Sequence, residues 1–158
     1  MLRFHNITSC DVNNGEGFRV TLWVAGCSHH CKGCQNEQTW SFTGGRAFTD
    51  ADKQYLFSEL SKPYIRGLTL SGGDPLDSFS DVLALVREVR DAFPTKDIWL
   101  YTGYTMGQIE SDRMADILPL LDVVVDGPFI LEERDVTLAF RGSRNQRIIK
   151  LKSKKVKR

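Results

Sequence analysis

The sequence has no apolar run that approaches the ~20 residues of a membrane-spanning helix, which excludes such a helix. The first residues, Met1 to Asn6, lack the apolar core of a signal peptide. Neither sign of charge dominates: 21 Lys and Arg face 20 Asp and Glu, and a net charge of +1 argues against a nucleic-acid partner. We therefore expect a cytoplasmic protein without membrane contact, in a compartment that keeps thiols reduced.

The length and composition suit one soluble domain. The chain has 158 residues, of which 41% are hydrophobic and 26% charged. We expect a single domain over residues 1–150 and a basic C-terminal tail over residues 151–158. The tail is either a solvated chain end or a basic arm that docks on an acidic partner or nucleic acid.

Short apolar segments alternate with segments of helical periodicity. Strands are predicted at residues 19–25, 67–71, 98–101, 122–125 and 147–151. Helices are predicted at residues 49–60, from Ser78 or Ser80 to Ala92, and at residues 106–118. This alternation is typical of an α/β fold with a mainly parallel sheet, whose strand-end loops meet at one edge.

Three of the four cysteines lie within eight residues, in the pattern C-x3-C-x2-C of Cys27, Cys31 and Cys34. In a reducing compartment, such a group of cysteines favours metal binding over disulfide formation. A structural zinc site or an ordinary iron–sulfur cluster takes four protein ligands, and this loop supplies three. A cubane held by three thiolates keeps one iron open for a small chelating molecule.

Other interpretations of the same residues stay open. A zinc site could add His5, His29 or His30, although both loop histidines lie inside the first chelate loop. Cys10 could be a fourth ligand of a plain electron carrier, but a lone cysteine is more often a small buried hydrophobe. We expect His29 and His30 to face solvent and not to be catalytic. No Ser–His–Asp arrangement is evident.

A second unusual loop, Ser71-Gly72-Gly73-Asp74-Pro75, follows the second predicted strand. Two glycines let the backbone approach a ligand closely, and carbonyl groups there can accept hydrogen bonds from an ammonium group. Asp74 could add negative charge, and Pro75 suits the first turn of a helix. The alternative is a tight strand-to-helix turn in which Asp74 is a cap.

Both loops resemble those of the radical S-adenosylmethionine superfamily. The resemblance implies that Cys27, Cys31 and Cys34 bind a [4Fe–4S] cluster, whose fourth iron the methionine moiety of S-adenosyl-L-methionine chelates. It also implies cofactor contacts at Gly33, Gln35, Gly72, Gly73 and Asp74. The superfamily usually has an aromatic residue where this chain has Gln35, so no stacking on adenine is expected at that position.

Further strings resemble one branch, the anaerobic ribonucleoside-triphosphate reductase-activating proteins, over residues 5–150. The matching segments are residues 14–17, 96–104, 125–129 and 141–147. Asn36 and Trp40, which follow the cysteine loop, also match the pattern of this branch. Trp40 is equally compatible with a plain core position. For the segment from Arg141 to Arg147, a ligand contact, a partner contact and a structural turn all stay open.

The resemblance implies an oxidoreductase that reductively cleaves S-adenosylmethionine to a 5′-deoxyadenosyl radical. That radical takes a hydrogen atom from a glycine of the anaerobic (class III) reductase's large subunit, leaving a glycyl radical. It implies a (β/α) barrel and an electron donor of flavodoxin or ferredoxin type. From the short chain we expect about five or six mainly parallel strands, and therefore an incomplete barrel. The alternatives are an activase of another glycyl-radical enzyme, such as pyruvate formate-lyase, or a non-catalytic iron–sulfur carrier.

Overall fold

The computed structural model describes residues 1–34 and 37–151 and builds them around one seven-stranded sheet. The strands are β1 (Arg3–Asp11), β2 (Arg19–Val24), β3 (Arg46–Ala47), β4 (Gly67–Gly72), β5 (Asp97–Tyr101), β6 (Val123–Asp126) and β7 (Arg147–Lys150). The α-helices are α1 (Asp50–Leu60), α2 (Phe79–Ala92) and α3 (Met106–Glu110). Short 3₁₀ helices cover Glu37–Thr39, Pro75–Ser78, Arg113–Leu120 and Leu131–Glu133. Among the described residues, no helix combines the length and apolar character that crossing a membrane requires.

The sheet is open and mixed, in the order β3-β1-β2-β4-β5-β6-β7. The four central strands, β2, β4, β5 and β6, run parallel. At one edge β1 pairs antiparallel with β2 and β3 pairs antiparallel with β1, and at the other edge β7 pairs antiparallel with β6. The prediction of an α/β fold is therefore confirmed. The expectation of a mainly parallel sheet of five or six strands holds only for the centre, because antiparallel strands extend both edges.

The two faces of the central strands differ in chemistry, as the period of two along a strand requires. Leu22, Leu70 and Leu100 have no exposed surface and pack in one core cluster with the apolar stripe of α2. The opposite face carries Thr21, Thr69, Ser71, Trp99 and Tyr101, and Phe140 packs against its Trp99. Most of the sheet's apolar surface is thus buried under helices, which leaves the polar face for a site.

The helix predictions were accurate at α1 and α2 and wrong at the third. A capping box between Thr49 and Asp52 begins α1, and α2 ends at Ala92 as expected. The third helix, predicted over residues 106–118, ends at Glu110. Asp112 then accepts a hydrogen bond from the Met114 backbone N–H and begins the separate 3₁₀ helix Arg113–Leu120. A side chain that caps competes with the continuing helix for backbone donors.

Candidate cluster and cofactor site

Four loops meet at the carboxyl edge of the parallel strands, as the sequence predicts. They follow β2, β4, β5 and β6, and residues from all four line one cavity of about 430 Å³. Six of the eight residues predicted to bind the cluster or the cofactor line this cavity: Cys27, Cys31, Cys34, Gly72, Gly73 and Asp74. The chemistry-bearing loops therefore surround a single space.

Two other predicted contacts are not placed in the cavity. Gly33 has a φ of +77°, and a β-carbon there would lie 2.8 Å from Leu131 Cδ1, so its described contact is with the segment after β6. Gly33 is not among the described residues that line the cavity. Gln35 lies outside the described residues, so both contacts stay predictions.

The cysteine loop is fastened at its base by backbone hydrogen bonds. The Gly26 N–H donates to the Thr39 carbonyl at 2.7 Å, and the Cys27 N–H donates to the Trp40 carbonyl at 3.1 Å. Gly26 has a φ of +104°, in a region that glycine adopts without strain, and this turns the chain out of β2 into the loop. The 3₁₀ segment after the third cysteine thus supports the first cysteine.

Two of the loop thiols, those of Cys27 and Cys31, lie in surroundings that disfavour the thiolate. Burial raises the pKa of Cys27 to about 11, and the Asp74 and Asp77 carboxylates add to this, while the backbone N–H groups of His29 and His30 oppose it. Burial also raises the pKa of Cys31. Because iron binds thiolates, loading a cluster must release protons from these side chains.

Three side chains near the cysteine loop have donor atoms close together. Among the described residues, the group of three potential ligands whose donor atoms all lie within 4.8 Å is His29, Asp74 and Asp77, and it contains no thiol. The three thiols line the neighbouring cavity.

Cys10 is not part of this site. It lies on β1, where its neighbour Asp11 pairs with Arg19 at the start of β2, whereas the cysteine loop follows the end of β2. Those two ends are roughly 16 Å apart along the strand. The expectation that Cys10 is a small buried hydrophobe is wrong, because its side chain is exposed with a φ of +56°.

Asp74 is the centre of a buried hydrogen-bond network. Its side chain has no exposed surface and accepts hydrogen bonds from the Thr102 hydroxyl at 2.9 Å and the Gly103 N–H at 2.9 Å. It also caps the 3₁₀ helix Pro75–Ser78 through the Leu76 N–H at 3.0 Å. The Asp74 side chain is therefore a helix cap, as the alternative interpretation of the sequence has it. Both of its carboxylate oxygens already accept hydrogen bonds from protein donors.

The fourth partner of Asp74 is His29. The imidazole Nε2 lies 2.6 Å from Asp74 Oδ2, and this hydrogen bond raises the pKa of His29. The side chain is only 18% exposed, so the expectation that His29 faces solvent is wrong. His30 is exposed as expected, and its ring stacks on Trp40 with centroids 4.5 Å apart.

Three buried donors around the cavity have no hydrogen-bond partner among the described residues. They are the Trp40 indole N–H, the Tyr101 hydroxyl and the Arg141 Nε–H. A buried donor left unpaired costs about 1–3 kcal/mol. Three of them around one cavity indicate a ligand rich in acceptor atoms. The alternation of β5 could have revealed Tyr101 from sequence, since Ile98 and Leu100 face the helices.

The segment from Arg141 to Arg147 is largely a structural turn. The Gln146 side chain accepts from the Gly142 N–H at 2.9 Å and donates to the Gly127 carbonyl at 3.1 Å. Arg147 forms an ion pair with Asp126 at 2.7 Å. These contacts hold the loop after β6 in place, and Arg141 remains directed at the cavity.

Comparisons with known proteins agree with this site. A family model described as a 4Fe-4S single cluster domain matches residues 13–149, so the fold and its cysteine loop define an iron–sulfur protein. Relatives named anaerobic ribonucleoside-triphosphate reductase-activating protein include one from Vibrio cholerae, 46% identical over 92% of this chain and 96% of the relative. The relative from Escherichia coli K12 is 40% identical over 92% of this chain and 96% of its own length. The relative from bacteriophage T4 is 42% identical over 93% of both chains. The chain belongs to this family of reductase-activating proteins.

Proposed function

We propose that this chain activates an anaerobic ribonucleoside-triphosphate reductase by generating a glycyl radical on it. The cavity between the four loops is the observation that carries the proposal, because it joins three thiols, the Gly72-Gly73 turn and three unpaired donors. The family's name supplies the target, an anaerobic ribonucleoside-triphosphate reductase, and we propose the large subunit of that enzyme as the partner. An electron donor of flavodoxin or ferredoxin type completes the proposed system.

Cys27, Cys31 and Cys34 are the proposed cluster ligands. They lie on one loop and line one cavity. Since no fourth cysteine is near, one iron would keep an open coordination position, as catalytic metals do. When bound, the cluster and S-adenosylmethionine would supply the one-electron cleavage and the hydrogen-atom abstraction from the target's glycine.

The turn at Gly72, Gly73 and Asp74 is the proposed seat of the cofactor's amino group. A β-carbon at Gly73 would lie 2.3 Å from the Gly26 carbonyl oxygen, so only glycine lets this turn pack on the base of the cysteine loop. Asp74 contributes negative charge. Its carboxylate already accepts hydrogen bonds from the Leu76 N–H, the Thr102 hydroxyl and the Gly103 N–H, so the direct hydrogen bond to the amino group is assigned to backbone carbonyls of the turn. Gly33 and Gln35 remain proposed contacts.

The unpaired donors suit the rest of S-adenosylmethionine. Its carboxylate, ribose hydroxyls and adenine nitrogens are acceptors for the Trp40, Tyr101 and Arg141 N–H and O–H groups. These residues come from three different parts of the chain and converge on the cavity. The chain's own task is thus to orient the cofactor and to exclude water from it.

The cavity reaches the surface beside Val136, which lines it and is 77% exposed. This opening supports entry of a glycine-bearing segment from the reductase. The single domain is proposed to span residues 1–150, with residues 151–158 as a basic tail.

Anaerobic reconstitution with iron and sulfide tests the proposal. With a reductant and S-adenosylmethionine, the protein is expected to form 5′-deoxyadenosine, and with the purified reductase to give a glycyl-radical EPR signal on the reductase. The Cys31→Ala variant should lose both activities, whereas Cys10→Ala should keep them. Full turnover by Cys31→Ala, or a cluster-loaded wild type that forms neither product, would contradict the proposal.

A further inference from the structure

Two neighbouring histidines in the cysteine loop have different surroundings. His29 is 18% exposed and its Nε2 lies 2.6 Å from Asp74 Oδ2. His30 is exposed and stacks flat on Trp40, with an interplanar angle of 9°. The two side chains share one sequence context, but only His29 reaches across the cavity edge to a residue 45 positions away.

The His29 ring fills a slot between the loops that follow β4 and β5. It packs edge-on against Tyr104, with ring centroids 4.6 Å apart. A β-carbon at Gly103 would lie 2.6 Å from His29 Cδ2, so glycine is required there for the ring to fit. The same Asp74 carboxylate binds His29, the Thr102 hydroxyl and the Gly103 N–H, and so joins three loops.

A second group of hydrogen bonds between the loops lies next to the one between His29 and Asp74. The Ser28 N–H and hydroxyl both donate to Asp77 Oδ2, at 2.8 and 2.9 Å, and the Tyr104 hydroxyl donates to Asp77 Oδ1. Ser28 and His29 lie directly between Cys27 and Cys31. The segment that separates two proposed ligands is therefore anchored at two adjacent residues.

The geometry points to His29 as a positioning residue that fastens the cysteine loop to Asp74 and so holds Cys27 and Cys31 ready for the cluster. This inference rests on the proposed cluster site and deepens it. A loop that is ordered in advance loses less conformational entropy when it binds its metal. Because Asp74 also caps the helix after the Gly72-Gly73 turn, one carboxylate aligns the cluster loop with the cofactor's loop.

The test compares iron release from the reconstituted full-length chain to a chelator under anaerobic conditions. His29→Leu keeps the volume of the ring and removes its hydrogen bond, whereas His29→Gln keeps an N–H donor that can reach Asp74. His30→Asn is the matched control, because asparagine tolerates the φ of +49° at that position. We expect His29→Leu to release iron about tenfold faster than wild type or more, because loss of a residue that orients a metal ligand typically costs 10–100-fold in affinity.

His29→Gln and His30→Asn are expected to release iron at close to the wild-type rate. If His29→Leu does not fold, as judged by circular dichroism of the metal-free protein, His29→Asn replaces it, because its short amide cannot span the distance to Asp74. The inference would be overturned if His29→Leu, or His29→Asn in its place, released iron at the wild-type rate. It would also be overturned if His29→Gln released iron as fast as His29→Leu. A wild-type cluster that ignores S-adenosylmethionine would contradict the proposed function, while the iron-release comparison would still decide the role of His29.

Discussion

The four cysteines differ in burial, although the sequence presents them as the same residue. Cys27 is half-buried, and burial raises its pKa to about 11, whereas Cys10 is exposed on β1. Alkylating reagents attack the thiolate, so a buried thiol with a raised pKa reacts slowly at neutral pH.

We therefore predict that iodoacetamide modifies Cys10 before Cys27 in the metal-free, reduced protein at neutral pH. Raising the pH toward 11 should increase the rate of alkylation at Cys27, because the thiolate fraction grows as the pH approaches the pKa of this thiol. Peptide mass spectrometry over a time course measures both rates. Faster modification of Cys27 than of Cys10 at neutral pH would contradict the environment described for the loop.

Tyr101 gives a prediction about the cofactor cavity. Tyr101→Phe removes a buried hydroxyl that has no partner among the described residues, so metal-free stability should stay the same or rise slightly. Loss of one ligand hydrogen bond, worth about 0.5–1.5 kcal/mol, should weaken S-adenosylmethionine binding roughly 2–10-fold. Anaerobic calorimetric titration measures the affinity. Tyr55→Phe, exposed on α1, is the control, and an equal loss in both variants would contradict the prediction.

The residues that carry chemistry could be predicted only where the local pattern is specific. The spacing of Cys27, Cys31 and Cys34 and the Gly72-Gly73 turn are local features, and the structure places them around one cavity. The difference between His29 and His30 could not be predicted, because it depends on Asp74, a partner 45 residues away. Nothing in the adjacent sequence separates the two histidines.

The elements were predictable where apolar residues repeat, and not elsewhere. Strands β2, β4, β5 and β6 are short apolar segments, and each was placed to within about two residues. Strand β1 was missed because its sequence, RFHNITSCD, buries only Phe4 and Asp11 and shows no apolar run. Pairing with β2 forms this strand, so its stability comes from tertiary contacts.

Helix α2 offers a stability test of the sheet's covered face. Leu85 is 5% exposed and belongs to the main core, so Leu85→Ala should lower the free energy of unfolding by about 2–5 kcal/mol. Arg87 is exposed on the same helix, and Arg87→Ala should change it by no more than about 0.5 kcal/mol. Urea unfolding of the metal-free proteins measures both. Equal effects would mean that α2 packs differently from this structure.

At the scale of the whole molecule, the sequence indicated an α/β fold and one functional edge but not the shape of the sheet. The carboxyl ends of parallel strands meet by topology, so the gathering of four loops follows from element order alone. Strand number and openness depend on β1, β3 and β7. The sequence indicated β7 at residues 147–151, but β1 and β3 contain no apolar run, and the antiparallel pairings do not follow from element order. The incomplete barrel expected from the short chain stays a prediction, and the sheet of this structure is not closed.

The central claim is that three thiols hold a cluster whose remaining iron position is open to S-adenosylmethionine. The most direct measurement is the EPR spectrum of the reduced, reconstituted protein before and after this molecule is added under anaerobic conditions. The account predicts a [4Fe–4S] signal that changes its g values on addition in wild type and in Cys10→Ala, and no such signal in Cys31→Ala. A spectrum that is identical with and without S-adenosylmethionine would contradict it.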